Sequence, residues 1–234
     1  MKKILVTGGE GRFATELKKI KTNINFLYLN KKQLDILNYK SIINAIKKNR
    51  PDSILHLAGL SRPMSLHEKD IINSINLNIV GTSNIVKACV EFKIKIIYFS
   101  TSYIYQGKKG NYRESDPLLP WNNYGWSKLG GEAAVQMYKN SLILRACMTE
   151  KPFVHDKAYS NVKSNFIFQD DLAKKFIRII NKKGIFNIGG VSQTIYTFVK
   201  KHNKKIKKIK SNGVFPLKQD MSLKKFNRAL DENN

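Results

Sequence analysis

Tyr124 and Lys128 stand four residues apart in the run Tyr124-Gly125-Trp126-Ser127-Lys128. On a helix that is about one turn, so both side chains leave the same face. An ammonium beside a phenol favours the phenolate and pulls a reference pKa of about 10 downward. A tyrosine tuned in this way can give or take a proton near neutral pH. The same spacing also arises on ordinary amphipathic helices, so its weight rests on two other groups. One is Thr7-Gly8-Gly9-Glu10-Gly11-Arg12-Phe13-Ala14, which follows the apolar run Lys3-Ile4-Leu5-Val6 directly and spaces Gly8, Gly11 and Ala14 by three. A strand, a glycine turn and a helix in that order let backbone amides approach a pyrophosphate at the positive end of the helix. A purely structural turn accounts for one of these glycines but not for the whole context. The other is Phe99-Ser100-Thr101-Ser102-Tyr103, at the end of the apolar strand Ile94–Phe99. Ligands of open parallel sheets gather beyond the carboxyl ends of strands, which sets Thr101 on the same rim as the glycine turn. A hydroxyl there can hydrogen-bond a substrate carbonyl or alkoxide, or else make local backbone bonds.

Bringing three such groups to one rim requires a sheet and the helices that cross it. Ile4–Val6, Phe26–Leu29, Ile54–Leu57, Ile94–Phe99 and Leu142–Leu144 read as buried parallel strands, being short, continuous and apolar. Helical patterns at Arg12–Lys19, Tyr39–Lys48, Ile71–Phe92 and Tyr124–Tyr138 lie between them, and Arg50-Pro51 stops the second. The expected fold is α/β, a Rossmann-type doubly wound parallel sheet over residues 1–145 with a small C-terminal substrate lobe over 146–234. Helices near Asp171–Asn181 and Ile195–His202, a strand at Ile185–Ile188 and a terminal helix from Ser222 fall in the second part. A chain of 234 residues is long enough for one substantial core and a small second one.

The formal charge is +25, from 42 Lys and Arg against 17 Asp and Glu. Such a balance suggests polyanionic partners. Lysine, however, is spread along the whole sequence. Its densest run, Lys200–Lys210, contains no aromatic residue and so lacks the stacking platform of single-strand binders. A solvated surface is the better account, and no specific nucleic acid is expected. Ile206 and Ile209 suggest that this run is an exposed strand or loop with little buried surface. No apolar run approaches the ~18 residues of a membrane-spanning helix, and the first strand begins too early for a signal peptide. Cys89 and Cys147 are far apart and outside any metal-binding spacing, as expected of reduced core thiols in a cytoplasmic protein.

The stretch Ser100–Pro120, continuing through Tyr124-Gly125-Trp126-Ser127-Lys128-Leu129-Gly130-Gly131-Glu132, resembles the extended short-chain dehydrogenase/reductase family. It is most similar to the dTDP-4-dehydrorhamnose reductase branch. Leu34-Asp35-Ile36, Arg50-Pro51-Asp52, His56-Leu57-Ala58-Gly59 and Asn78-Ile79-Val80-Gly81-Thr82 fall where that branch carries similar motifs. The likeness holds to about residue 145 and resumes more faintly at Phe168–Ala173 and Gly184–Gly190. Between Arg145 and Asp170 the chain looks shorter than the family. The resemblance implies that Thr101, Tyr124 and Lys128 are the catalytic residues, with no metal. It places Gly8, Gly11, Arg12, Phe13, Asp35, Ile36, Ala58 and Gly59 beside a dinucleotide, together with Tyr124 and Lys128. The implied reaction is hydride delivery from NADPH to C4 of a 4-keto-6-deoxy sugar nucleotide in polysaccharide biosynthesis. Tyr124 protonates the alkoxide, Lys128 lowers the phenol pKa and holds the nicotinamide ribose, and Thr101 hydrogen-bonds the sugar oxygen. Ser102 and Tyr103 fall on the substrate side, with Phe153, His155, Asp156, Tyr159, Lys218 and Gln219 as further candidates for the sugar site.

An acid at the end of the second strand would favour NAD through the ribose 2′-hydroxyl. This chain has Asn30-Lys31-Lys32 there, with Arg12 after the second glycine, so NADP(H) is preferred and NAD(H) is the alternative. The same lysines also fit a merely lysine-rich surface. Ser102-Tyr103 stands where a sugar-nucleotide dehydratase carries an Asp-Glu pair, which argues against dehydration. Two other functions remain: a 4-epimerase with tightly held NAD, and a non-catalytic binding subunit, because the regulatory β subunit of methionine adenosyltransferase resembles the same branch. Family members often dimerise through helices at the positions of Ile71–Phe92 and Tyr124–Tyr138, which makes a homodimer an expectation.

Overall fold

A computed structural model of the protein describes residues 2–213 and 215–232. Six parallel strands form its central sheet: β1 (Lys3–Thr7), β2 (Asn25–Leu29), β3 (Ser53–His56), β4 (Lys95–Thr101), β5 (Ser141–Ala146) and β6 (Gly184–Ile188). Their order across the sheet is β6-β5-β4-β3-β1-β2. The helices in chain order are α1 (Arg12–Lys18), α2 (Tyr39–Asn49), α3 (Leu66–Lys69), α4 (Ile71–Ile75), α5 (Gly81–Glu91), α6 (Asn123–Gln136), α7 (Gln169–Ile179), α8 (Ile195–Lys200) and α9 (Lys224–Asp231).

Successive strand residues point to opposite faces, so one apolar strand feeds two cores. Ile4, Val6, Leu55, Ile97, Phe99, Leu142 and Leu144 pack with Phe13 and Leu17 of α1, Phe176 of α7 and Phe226 of α9. Leu5, Ile54, Ile96, Tyr98 and Ile143 pack on the other face with Ile42 and Ile46 of α2, Ile85 and Cys89 of α5, and Val135 of α6. Both cysteines are free and buried. The expectation of a buried second strand fails for β2. It has a neighbour on one side only, and all five of its residues are half-buried.

Local chemistry sets the helix ends. Asn38 caps α2 by accepting the Ser41 amide at 3.1 Å, and Arg50 ends it in the left-handed region at φ 46°, just before Pro51. Asn122 caps α6 by accepting the Gly125 amide at 2.8 Å, which fixes the first turn that carries Tyr124. The pattern Ile71–Phe92, expected as one helix, is divided. A π-helical turn over Asn76–Val80 separates α4 from α5. This wider turn holds the buried Asn78 amide against both backbone groups of Leu60, at 2.8 and 2.9 Å, and against Ser127 Oγ at 2.9 Å.

The chain after residue 146 is shared between two bodies rather than confined to one lobe. β6 pairs with β5 in parallel register, and α7 and α9 cover the first core. The smaller body has its own core of Ala158, Val162, Phe168, Ile195, Phe198, Val199 and Ile206. Ile206 is therefore not the little-buried residue expected within Lys200–Lys210. It anchors a short strand, Lys207–Ile209, paired with Lys157–Tyr159, while Lys207 and Lys208 stay exposed. Among the described residues no helix is long and apolar enough to cross a membrane.

Candidate active site

β1 leads to β2 on one side and β3 leads to β4 on the other, so the strand order reverses between β1 and β3 and opens a crevice at their carboxyl ends. The glycine turn fills that position. Gly8 has φ +65°, and a Cβ on it would lie 2.9 Å from both Cα and N of Ala58, so only glycine lets the turn lie against the end of β3. The Gly11 amide closes the turn on the Gly8 carbonyl at 2.9 Å. Phe13 sits in the first turn of α1, beside the glycine turn. Its ring is buried against Phe99 at 4.6 Å and Phe176 at 6.0 Å, so it seats α1 on the sheet.

Behind the turn runs a buried chain of polar groups. Thr7 Oγ1 accepts the amides of Leu57 (3.2 Å) and Ala58 (3.1 Å), which leaves its own proton for His56 Nδ1 at 2.8 Å. The His56 proton then sits on Nε2 and is donated to Thr82 Oγ1 at 3.1 Å. Thr82 in turn donates to the Tyr98 phenol, and Tyr98 donates to the Lys128 carbonyl at 3.1 Å. Burial, with Lys128 adding to it, holds His56 down to about 3, so the imidazole is neutral. Lys128 Nζ lies 4.2 Å from the centre of the Tyr98 ring. A chain of hydrogen bonds thus links the β1–β3 switch point to the middle of α6.

Thr101, at the end of β4, is buried and hydrogen-bonded to Tyr124. Its Oγ1 also accepts the Tyr103 amide at 3.3 Å. Tyr124 and Lys128 are half-buried on one face of α6. A Cβ on Gly125 would lie 2.5 Å from the Tyr103 carbonyl, so α6 begins pressed against the turn that leaves Thr101. The three side chains expected to act together are therefore neighbours. The electrostatics differ from the expectation in direction. Burial pushes the Tyr124 phenol up, and the opposing influences come from the Thr101 hydrogen bond and from the charges of Arg62 and Arg12, not from Lys128. Lys128 is itself lowered to about 7 by desolvation, against a smaller upward pull from Glu132. Glu132, one turn further along α6, is committed to a buried ion pair with Arg145 at 2.8 Å.

At the end of β2, Asn30, Lys31 and Lys32 sit as the sequence placed them, and Lys31 and Lys32 are exposed. Asn30 Nδ2 donates to Glu10 Oε1 at 3.2 Å, so an acid from the glycine turn reaches this corner, a contact the sequence reading missed. Asp35 and Ile36 lie on the loop beyond it. The Asp35 carboxylate accepts the Leu37 amide at 3.0 Å, and buried Ile36 packs where a Cβ on Gly81 would come within 2.5 Å of it. Ala58 and Gly59 follow β3, and a Cβ on Gly59 would meet the Asn78 amide oxygen at 2.7 Å. Arg12 does not join the basic corner. It reaches Glu150 at 2.6 Å and Ser61 at 2.8 Å.

A cavity of about 730 Å³ adjoins these groups, lined among others by Arg12, Arg62, Tyr103, Glu150, Phe153, His155, Asp156, Tyr159 and Phe215. It gathers Tyr103 and four of the residues expected at the sugar site. Lys218 lines a different cavity with Trp121, and Gln219 is buried beside Gly107. Ser102 is also buried and hydrogen-bonds the Cys147 thiol, so it faces the core rather than this cavity. His67, buried with its ring 5.0 Å from that of Tyr124, and Arg62 were not singled out from the sequence. Ser61-Arg62-Pro63, in the loop after β3, offered the one local signal for them.

A six-stranded parallel sheet with a glycine turn at the switch point places the chain in the class of doubly wound, dinucleotide-type α/β folds, with Thr101, Tyr124 and Lys128 on the same rim. The chain belongs to the RmlD substrate binding domain family, whose model matches residues 1–166. The dTDP-4-dehydrorhamnose reductase of Aggregatibacter actinomycetemcomitans is 28% identical over 154 residues, which cover 64% of this chain and 52% of that protein. The methionine adenosyltransferase 2 subunit beta of Xenopus laevis is 32% identical over 113 residues, 48% of this chain and 34% of that one. The chain spans about half the length, or less, of these curated relatives. The crystal structure of dTDP-4-dehydrorhamnose reductase from Bacillus anthracis in complex with NADP superposes with a TM-score of 0.83 at 19% identity. That match covers 100% of this chain and 98% of the other.

Proposed function

We propose that the protein is an NADPH-dependent reductase of a 4-keto-6-deoxy sugar nucleotide, acting like a dTDP-4-dehydrorhamnose reductase. The observation that carries this reading is the meeting of Thr101, Tyr124 and Lys128 on the rim that also holds the glycine turn. The residues present suit a dinucleotide. The turn at Gly8–Gly11 brings bare backbone to the β1–β3 crevice, and Lys128 Nζ makes no ion pair among the described residues because Glu132 is held by Arg145. The cofactor, when bound, supplies the hydride. Thr101 orients the sugar oxygen and the phenol. Tyr124, kept protonated at neutral pH by burial, donates its proton to that oxygen. Lys128 holds ribose hydroxyls, and an anionic ligand nearby would favour its charged form. Residues 1–145, with β6, α7 and α9 behind them, would hold the dinucleotide. The smaller body would hold the sugar nucleotide through the 730 Å³ cavity. Reduced, buried Cys89 and Cys147 suit a cytoplasmic protein. Exposed Ile72, Ile75, Val80 and Trp126 suit a homodimer through α4, the π-helical turn and α6.

The reading is tested by mixing the protein with NADPH and dTDP-4-dehydrorhamnose and following the nicotinamide absorbance. Loss of absorbance at a rate proportional to protein is the expected result. A second reading, a non-catalytic binding subunit, draws on the likeness to methionine adenosyltransferase 2 subunit beta. Tight NADPH binding without turnover on any 4-keto sugar nucleotide would establish that one instead.

A further inference from the structure

Arg12 opens α1 after the glycine turn and Arg62 lies in the loop after β3, yet a single carboxylate holds both. Glu150 Oε1 lies 2.6 Å from Arg12 Nη1, and Glu150 Oε2 lies 2.7 Å from Arg62 Nη1. The second contact is a contact of charges without hydrogen-bond geometry, because buried Oε2 has no directed donor. Arg12 is also tied to Ser61 at 2.8 Å. The Arg12–Glu150 pair borders two cavities. One is the 730 Å³ cavity of the smaller body. The other, about 350 Å³, lies beside the start of α1 and is lined by Glu10, Thr15 and Gln169 among others. The two guanidiniums outnumber the one carboxylate that bridges them, while Glu10 of the glycine turn, Glu16 and Asp170 line the smaller cavity with Lys19 and Lys151. Planar guanidiniums are fitted to bind phosphate oxygens in pairs.

We propose that Glu150 is an internal competitor for phosphate: it occupies Arg12 and Arg62 until a diphosphate-bearing ligand displaces it. This rests on the reading above that the glycine turn serves a dinucleotide. The competition is mild. Side-chain exposures of 44% for Arg12, 31% for Arg62 and 17% for Glu150 leave the group partly in water, where such pairs are weak and exchange readily. A carboxylate at this place weakens ground-state binding of phosphates and keeps the two arginines aligned for them. It acts as a positioning residue and touches no reacting atom.

The test uses Glu150→Gln, which keeps the shape and removes the charge, with circular dichroism and melting to confirm folding. Glu150→Asp, too short to bridge both arginines, serves as a second variant. NADPH affinity is read by nicotinamide fluorescence, and inorganic pyrophosphate is titrated separately by calorimetry. Glu150→Gln should bind both ligands about three- to tenfold tighter, the gain expected from two partly exposed ion pairs. Adding Arg62→Met should cancel most of that gain. A merely structural role would alter melting without tightening pyrophosphate. Unchanged or weaker pyrophosphate binding in both variants overturns the proposal. If the unmodified protein binds no NADPH, the dinucleotide reading fails. The pyrophosphate titration then still decides whether Glu150 guards an anion site.

Discussion

Tyr124→Phe separates chemistry from packing. The phenylalanine ring keeps the contacts with His67 at 5.0 Å and with Tyr103 at 5.8 Å, so among the described residues the hydrogen bond removed is the hydroxyl's bond to Thr101. A hydrogen bond of this kind contributes about 0.5–1.5 kcal/mol. For a chain of 234 residues that is a drop in melting temperature of at most about 6 °C. The loss of a general acid is far larger, about 10²–10⁴-fold in turnover, or roughly 2.7–5.4 kcal/mol of barrier. NADPH affinity should hardly move, because Lys128 and the glycine turn, not the phenol, are assigned to the cofactor. The assay pairs a thermal melt and an NADPH titration with steady-state rates on dTDP-4-dehydrorhamnose. Turnover within about threefold of the unmodified protein would refute the assignment of Tyr124 as proton donor.

Three further outcomes follow from particular contacts. Lys128, lowered to about 7 from an ordinary 10.5, carries a desolvation cost that is fully present below about pH 7 and fades as pH rises toward 10.5. Lys128→Met should therefore raise the melting temperature more at about pH 6 than at about pH 9.5, and a gain independent of pH would contradict the burial of a charged amine. Glu10→Gln removes the acid 3.2 Å from Asn30 and should improve NADPH over NADH by about two- to threefold in fluorescence titrations; an unchanged ratio would remove the β2 corner from cofactor choice. Glu132→Gln leaves buried Arg145 without its counter-charge and should cost about 3–5 kcal/mol in urea unfolding, and a loss below about 1 kcal/mol would mean that Tyr105 and the Glu114 carbonyl suffice to hold Arg145.

The sheet was legible because each strand is a short apolar run and each crossing helix has its own period. The clustering of Thr101, Tyr124 and Lys128 was legible because Thr101 ends an apolar strand and the other two share one face at the start of a helical run. What stayed hidden depends on pairing across distance. Arg12 and Glu150 are 138 positions apart, and nothing local in either segment announces the other. The π turn at Asn76–Val80 arises from the tertiary bonds of Asn78, which a helical pattern does not encode. β6 was recognisable as a strand, but its place beside β5 follows from the crossover through α7. Treating Tyr124 and Lys128 as an isolated pair gave the wrong direction for the phenol, because burial dominates and the opposing influences come from Thr101, Arg62 and Arg12.

The polar chain from Thr7 to Tyr98 has a direction as well as a path. It starts from the amides of Leu57 and Ala58 and ends on the Lys128 carbonyl, and peptide groups at either end neither release nor accept protons at ordinary pH. Reversing one bond would require reversing all of them against fixed termini. The chain is therefore a strut and not a conduit. It holds α6 at a set height above the sheet, and no proton can be passed along it to Tyr124. If Tyr124 gives up a proton as proposed above, the replacement must reach it by a route other than this chain.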